Sequence, residues 1–144
     1  MDPVIEAGPY VPTDEDLASV EAWFREYDAC AARGDVERLA DMAVFPLNVV
    51  SDDAAGEAVA AQWSRERYVE TMAHVIGTGR DVRIESTRTP HFLSASLVVV
   101  VTDAVVTWDG GGARTRYADL LVKIGGRWRF QSMVQSGWGD TLRA

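Results

Sequence analysis

The chain has 144 residues, of which 47% are hydrophobic, and its formal net charge at pH 7 is -8. This length suits one domain with a single core, and an acidic balance without a block of Lys or Arg argues against nucleic acid and anionic membrane surfaces as partners. The first residues lack the pattern of a signal peptide, and no apolar run reaches the ~18 residues of a spanning helix, so we expect a cytoplasmic protein.

The N-terminal part of the sequence predicts an arm followed by a long helix. Residues 1–12 contain three prolines, which favour extended geometry, and precede a single domain at residues 13–140. Thr13 is a suitable N-cap with three acidic residues after it. Apolar residues then recur at helical spacing until Gly34, which predicts the end of the first helix. The one cysteine, Cys30, lies in this apolar stripe and is expected to be a small core residue.

Two further helices are predicted from their capping residues. Asp35 caps a short second helix, which Pro46 prevents from continuing. Ser64 caps a third helix, whose apolar stripe ends at Gly77.

Strands dominate the remaining sequence. Alternating or continuous apolar runs, separated by glycine-rich turns at 110–112 and 125–126, predict strands at 47–53, 58–63, 82–90, 94–109, 113–124 and 127–137. Helices first and long strands afterwards predict an α+β fold, with the helices against one face of a mostly antiparallel sheet.

One predicted strand is apolar on both faces. Residues 97–101, with the sequence LVVVV, should alternate if one face were solvated. A second subunit covering the outer face, and hence a homodimer, is one explanation. A central strand packed under a loop is the alternative.

The sequence contains none of the common nucleotide, metal or nucleophile motifs. His74 and His91 each lack a second ligand at metal spacing, so neither a metal nor a cofactor is expected. Five tryptophans are many for a small core, because each buried indole N–H needs a partner, and aromatics around a concavity suit an apolar ligand. Core and dimer packing are the alternative roles for these tryptophans.

Two segments carry a resemblance to a known family. Residues 20–39, VEAWFREYDACAARGDVERL, resemble the first two helices of the NTF2-like superfamily, and residues 117–138 resemble its last hairpin. That superfamily includes ketosteroid isomerases, SnoaL-like polyketide cyclases and scytalone dehydratase. The resemblance implies a cone-shaped fold, in which a curved mixed or antiparallel sheet and about three helices enclose a pocket.

The resemblance also implies catalytic positions. Tyr27 lies where ketosteroid isomerases place the hydrogen-bond donor to an enolate oxygen, although it could equally be a core tyrosine. Asp52 or Asp53 lies near the position of the isomerase base, but both also suit an ordinary hairpin turn. Arg116 replaces the isomerase's protonated acid. Because a guanidinium stays charged, steroid isomerisation is not expected, whereas an anionic or enolisable substrate is.

The same alignment predicts which residues face the pocket. Asp103 and Asp119 are expected to face away from it, paired with Arg114, Arg129 or Lys123; a tuned general base is the alternative. The predicted pocket lining is Trp23, Trp63, Val100, Thr102, Ala104, Val106, Ser132, Val134, Ser136 and Trp138.

Together these features predict a cofactor-independent enzyme of the cyclase, isomerase or dehydratase type for a small apolar or weakly acidic organic molecule. The alternative is a non-catalytic ligand-binding or protein-interaction domain of the same fold. An enzyme requires an acid or base within hydrogen-bond reach of the reacting carbon, and a binding domain does not.

Overall fold

The computed structural model describes residues 9–76 and 82–142. Residues 1–8 of the predicted arm, and the predicted end of the third helix at Gly77, therefore lie outside the described residues. The helices are α1 (Asp14–Arg33), α2 (Val36–Asp41), α3 (Arg65–Ile76) and α4 (Gly139–Leu142). The strands are β1 (Ala43–Asp52), β2 (Ala58–Trp63), β3 (Arg83–Ser94), β4 (Leu97–Trp108), β5 (Gly111–Ile124) and β6 (Arg127–Gln135). No helix among these residues is long and apolar enough to cross a membrane.

Local hydrogen bonds explain the bounds of α1. The Thr13 hydroxyl accepts from the Asp16 amide at 3.1 Å, and the Asp16 carboxylate accepts from the Thr13 amide at 3.0 Å, which completes a capping box. Gly34 ends the helix with φ 69°, a left-handed conformation that glycine adopts without strain. The buried side of α1 includes Cys30, so the prediction of a core cysteine is confirmed.

The first strand begins earlier than its apolar pattern predicted. β1 starts at Ala43 and contains Pro46, which follows a cis peptide bond. The pairing of β1 with β6 is interrupted between Ala43 and Asn48, so the strand tolerates a residue without an amide hydrogen at that point.

The six strands form one curved, open sheet in the order β2-β1-β6-β5-β4-β3. All neighbouring pairs are antiparallel except β1 and β6, which are parallel. The helices contribute to a core on the concave face of this sheet, where Leu47, Val98, Val100, Leu121 and Phe130 are buried. The predicted α+β class and mixed curved sheet are confirmed.

A two-residue turn sets the register between β4 and β5. Trp108 and Gly111 flank this turn, and the same register places Val100 opposite Asp119. Directly opposed residues of an antiparallel pair project from the same face. Because Val100 is buried on the concave face, Asp119 also belongs to that face, and the prediction that it faces away is wrong.

A bulge changes the orientation of the last strand. Leu121 pairs with Phe130 but Leu120 pairs with Ser132, so β6 carries one extra residue at this point. The shift moves Ser132 and Val134 to the outer face and Met133 to the concave face. The prediction that Ser132 and Val134 line the pocket is therefore wrong.

Candidate functional site

A group of polar side chains lies on the concave side of an otherwise apolar interior. We call this group the polar cluster; one member comes from α1, one from α3 and four from the sheet. Its members are Tyr27, Tyr68, Arg88, Thr102, Tyr117 and Asp119.

Asp119 is the titratable acid of the polar cluster. It lies between Val100 on β4 and Met133 on β6, and its side chain is only partly accessible. Desolvation raises its pKa from 3.8 to about 7, and the positive charge of Arg88 opposes this rise. A carboxyl group with this pKa exchanges protons readily near neutral pH.

Arg88 is held by the first helix. Its Nη1 donates to Oδ2 of Asp28 at 2.6 Å and its Nη2 donates to Oδ1 at 3.0 Å, while its Cζ lies 4.2 Å from the ring centroid of Phe24. Burial lowers the pKa of Arg88, but the hydrogen bonds with Asp28 and Tyr117 together raise it by more, so the guanidinium remains charged.

Two tyrosines supply neutral hydroxyl groups. Tyr27 stacks on Trp23 with ring centroids 5.4 Å apart and meets the edge of Phe130 at 5.9 Å. Desolvation, followed by the proximity of Tyr68 and Asp119, raises the pKa of Tyr27 well above its usual value. Desolvation also raises the pKa of Tyr68. Both hydroxyls are therefore protonated at neutral pH and can donate hydrogen bonds.

Several buried polar atoms have no hydrogen-bond partner within residues 9–76 and 82–142. They are the Tyr68 hydroxyl, Arg88 Nε, the Thr102 hydroxyl and Trp63 Nε1. Tyr68 and Thr102 are fully buried. Since buried polar groups in native proteins are usually satisfied, three such groups in one cluster indicate a place for a bound polar atom.

A surface cleft borders the polar cluster through one residue, Arg88. It has a volume of about 260 Å³ and lies between α1 and strands β3 and β4. Phe24 and Asp28 line it from the helix, and Arg88, Pro90 and Val100 line it from the sheet. Arg88 therefore belongs both to the wall of the cleft and to the polar cluster.

Of the predicted catalytic residues, Tyr27 lies in the cluster but Arg116 does not. Arg116 is on the outer face, where its Nε donates to Oδ1 of Asp103 at 2.6 Å. Both side chains are exposed. The prediction that Arg116 supplies the charge of the pocket is therefore wrong, and Arg88 lies on the concave face instead. Asp103 faces outward as predicted, although its partner is Arg116.

The two aspartates predicted as candidate bases stabilise loops. Asp52 accepts a hydrogen bond from the Gly137 amide at 2.7 Å, which connects the end of β1 to the C-terminal turn. Asp53 accepts from the amides of Ala55 and Glu57 at 3.0 and 2.9 Å. The Asp53 contacts correspond to the hairpin alternative, whereas Asp52 binds a turn that is distant along the chain. Neither aspartate is a member of the polar cluster.

The predicted pocket lining is only partly brought together. On β4, Val100, Thr102, Ala104 and Val106 share the concave-facing register. The other predicted lining residues differ in their surroundings: Trp23 stacks on Tyr27, Trp63 is buried at the end of β2, Trp138 packs against the core, and Ser136 is exposed in a turn.

Sequence reasoning missed Asp28, Arg88 and Tyr117, and assigned Asp119 to the wrong face. One signal was available for the strand residues: Asp109-Gly110 is a typical two-residue hairpin turn. If the turn is placed there, rather than in the following glycines, it aligns Val100 with Asp119 and Thr102 with Tyr117. No local signal connects Asp28 with Arg88.

Within the described part of the chain, no three His, Cys, Asp or Glu side chains converge as metal ligands. No protein-family model and no curated protein matches the sequence.

Solved structures match the fold. The protein Aln2 from a Streptomyces species has a TM-score of 0.70 and 18% identity, over 93% of this chain and 99% of that chain. A protein of unknown function with a cystatin-like fold from Nostoc punctiforme has a TM-score of 0.67 and 14% identity, over 88% and 94%. A provisionally assigned scytalone dehydratase from Novosphingobium aromaticivorans has a TM-score of 0.62 and 21% identity, over 83% and 81%. The chain therefore has the cystatin-like, NTF2-like α+β fold.

Proposed function

We propose that the protein catalyses a cofactor-independent proton transfer on a small, largely apolar molecule, in a reaction of the isomerase, dehydratase or cyclase type. The observation that carries this proposal is the position of Asp119: a carboxyl group with a pKa near 7 lies on the concave face, among protonated tyrosine hydroxyls. A general acid-base group is most effective when its pKa is near the working pH.

The roles of the cluster follow from its chemistry. Ionised Asp119 accepts a proton from an acidic carbon of the substrate, and the released electron pair moves onto a conjugated oxygen. Tyr27 and Tyr68 are neutral donors, and Arg88 is a charged donor, for that oxygen. Protonated Asp119 then returns the proton, either to another carbon or to a leaving hydroxyl group. Trp23 and Phe130 pack against the ring of Tyr27 and would limit the access of water to a substrate bound beside it.

The structural neighbours are compatible with this proposal. The Novosphingobium protein provisionally assigned as a scytalone dehydratase would catalyse one reaction of the proposed class on the same fold. Because the fold hosts many functions, the proposal depends on the cluster in this chain and not on that assignment.

A non-catalytic binding domain is the second candidate. The observation that favours it is the set of unpartnered donors next to aromatic rings, since these groups can hold a ligand without any proton transfer. The two functions differ in what they require of Asp119. Catalysis needs an ionisable group at this position, whereas binding tolerates a neutral group of the same shape.

We also propose that the protein is a homodimer that uses the outer face of the sheet. The outward-facing side chains of β4 include Leu97 and Val105, which are 41% and 38% exposed, and Val134 on β6 is 44% exposed. Val99 on β4 and Leu120 on β5 lie opposite each other and project from the same outer face. Exposed apolar side chains grouped on one face in this way are typical of a subunit interface.

Exchange of carbon-bound hydrogen with deuterated water tests the proposed proton transfer without knowledge of the substrate. A panel of small aryl ketones is incubated with the protein in D₂O, and deuterium incorporation next to the carbonyl group is followed by mass spectrometry. We expect Asp119→Asn to reduce exchange at least 100-fold, as for loss of a general base. Asp103→Asn, which changes an exposed aspartate of the same sheet, is the matched control and should retain wild-type exchange. Equal exchange by the wild-type protein and Asp119→Asn would contradict the proposed role.

A further inference from the structure

The guanidinium of Arg88 is held by two residues of α1, but the N–H of its Nε has no partner among the described residues. Asp28 accepts hydrogen bonds from both terminal nitrogens, and Phe24 lies against the planar group. The third nitrogen, Nε, is buried, and its N–H has no partner among the described residues. A hydrogen-bond acceptor from outside the chain is therefore the expected partner of Nε.

Thr102 places a second unused donor beside the first. It lies directly opposite Arg88 on β3 and directly opposite Tyr117 on β5. Side chains of opposed residues start about 5 Å apart, so these three residues form one row across the concave face. Thr102 is fully buried, and its hydroxyl also has no partner in the described part of the chain.

The charges around this row do not favour an anion. Asp28 already compensates the charge of Arg88, and the other charged residues that line the cleft, Glu21 and Arg25, have opposite signs. Asp119 adds a further acid on the same face of the sheet. A bound carboxylate would therefore meet a like charge without a net positive charge in the cleft to offset it. A neutral acceptor atom avoids this repulsion and still satisfies both donors.

We infer that the site takes a neutral carbonyl compound, whose oxygen accepts hydrogen bonds from Arg88 Nε and the Thr102 hydroxyl, and that it discriminates against carboxylic acids. This inference rests on the proposed function and names its substrate class. It replaces the anionic substrate that the sequence predicted from Arg116, which lies on the outer face.

The carbonyl position is compatible with the proton transfer. Asp119 follows Tyr117 by two residues on β5, which separates their Cα atoms by about 6.7 Å along the strand. Asp119 removes a proton from a carbon conjugated with the carbonyl group. The C–H electron pair becomes part of a new C=C bond, and the π pair of C=O moves to the oxygen. The negative charge then develops at the oxygen, where the Arg88 and Thr102 donors strengthen their hydrogen bonds.

Three ligands with one aromatic ring test the inference by binding alone. The probes are para-fluoroacetophenone, para-fluorobenzoate and para-fluorobenzylamine, which are neutral, anionic and cationic at neutral pH, and dissociation constants are measured by fluorine NMR. For the wild-type protein we expect the ketone to bind at least ten-fold more tightly than the carboxylate or the amine. Tighter binding of either charged probe, or no binding of the ketone at millimolar concentration, would overturn the inference.

Two variants with a matched control locate the effect. Thr102→Val removes the hydroxyl but preserves the side-chain shape, and it should weaken ketone binding three- to ten-fold. Asp28→Asn removes the charge that compensates Arg88, so it should shift the preference at least ten-fold towards the carboxylate. Asp103→Asn breaks the comparable ion pair on the outer face and should leave all three dissociation constants unchanged. Unchanged ketone binding by Thr102→Val, or unchanged selectivity in Asp28→Asn, would contradict the assigned oxygen position.

These outcomes are distinct from those of the exchange experiment. A preference for the ketone without Asp119-dependent deuterium exchange would support the carbonyl site and reject the proposed catalysis. Asp119-dependent exchange in a protein that prefers the carboxylate would reject only the carbonyl inference.

Discussion

Asp119 on β5 lies directly opposite the buried Val100 on β4, so a carboxyl group projects from the same face of the sheet as the apolar core. This pairing explains why the pKa of Asp119 is raised, because the ionised carboxylate loses hydration when it is enclosed. It also brings the acid to the face that carries the tyrosines and Arg88.

The stability of the protein should depend on the protonation of Asp119. Its folded-state pKa of about 7 lies above the unfolded value of 3.8, so the folded chain binds the proton more tightly. The resulting stabilisation is fully present below pH 3.8 and is lost as the pH rises through 7. The difference amounts to at most about 4 kcal/mol, since one pKa unit corresponds to about 1.4 kcal/mol.

Urea unfolding of the wild-type protein and Asp119→Asn at about pH 5 and about pH 8.5, on either side of the folded-state pKa, measures this dependence. We expect the variant to become more stable relative to the wild-type protein at the higher pH. If the difference between the two proteins is the same at both pH values, Asp119 does not titrate as the structure indicates.

The ion pair between Arg88 and Asp28 should stabilise the fold more than the pair between Arg116 and Asp103. The Arg88 side chain is 16% exposed and its pair is bidentate, whereas the Arg116 side chain is 73% exposed. Removing the partner of a largely buried charge leaves it poorly compensated. We expect Asp28→Ala to lower the free energy of unfolding by about 1 to 3 kcal/mol, and Asp103→Ala by less than about 1 kcal/mol. Chemical denaturation compares the two, and equal losses would argue against a structural role for the inner pair.

Replacement of Gly139 should destabilise the C-terminal turn. A Cβ atom at this position would lie 2.5 Å from the backbone carbonyl carbon and oxygen of Asp52, closer than atomic contacts allow. We expect Gly139→Ala to lower the free energy of unfolding by about 1 to 3 kcal/mol, the range for overpacking. Thermal unfolding provides the measurement. A melting temperature equal to that of the wild-type protein would show that the turn can move away from β1.

The proposed homodimer should depend on the apolar outer face. Val134→Lys places a charge at a 44% exposed position of that face, and it should convert the dimer to a monomer in sedimentation at micromolar concentration. Ile84→Lys is the control, because Ile84 is 59% exposed and shares the register of Val106, which faces the other way. Loss of the dimer in both variants, or a wild-type protein that is already monomeric, would exclude this interface.

Much of the secondary structure follows from short-range chemistry. Each of the three N-caps, Thr13, Asp35 and Ser64, accepts a hydrogen bond from an amide three residues later. Gly34 ends α1 by donating its amide to carbonyls of the last turn of that helix. Each interaction joins residues that are close together along the chain, so the sequence alone predicted the three main helices. Apolar runs between turns likewise predicted the six strands, with errors of a few residues at their ends. The order of these elements was enough to predict the α+β class.

The composition of the candidate site depended on tertiary structure instead. The extra residue of the β6 bulge reverses which side chains of that strand face inward, and placing the turn at Asp109-Gly110 does the same for β5. Because side chains alternate between the two faces of a strand, a shift of one residue moves each side chain to the opposite face. For this reason the sequence predicted the wrong faces for Ser132, Val134 and Asp119.

The ion pair of Arg88 with Asp28 joins residues that are 60 positions apart. The sequence by itself determined where helices and strands form, because that choice depends on neighbouring residues. Only the tertiary structure decided which arginine and which carboxylate meet on the concave face, because strand register and helix packing bring together residues that have no local relationship.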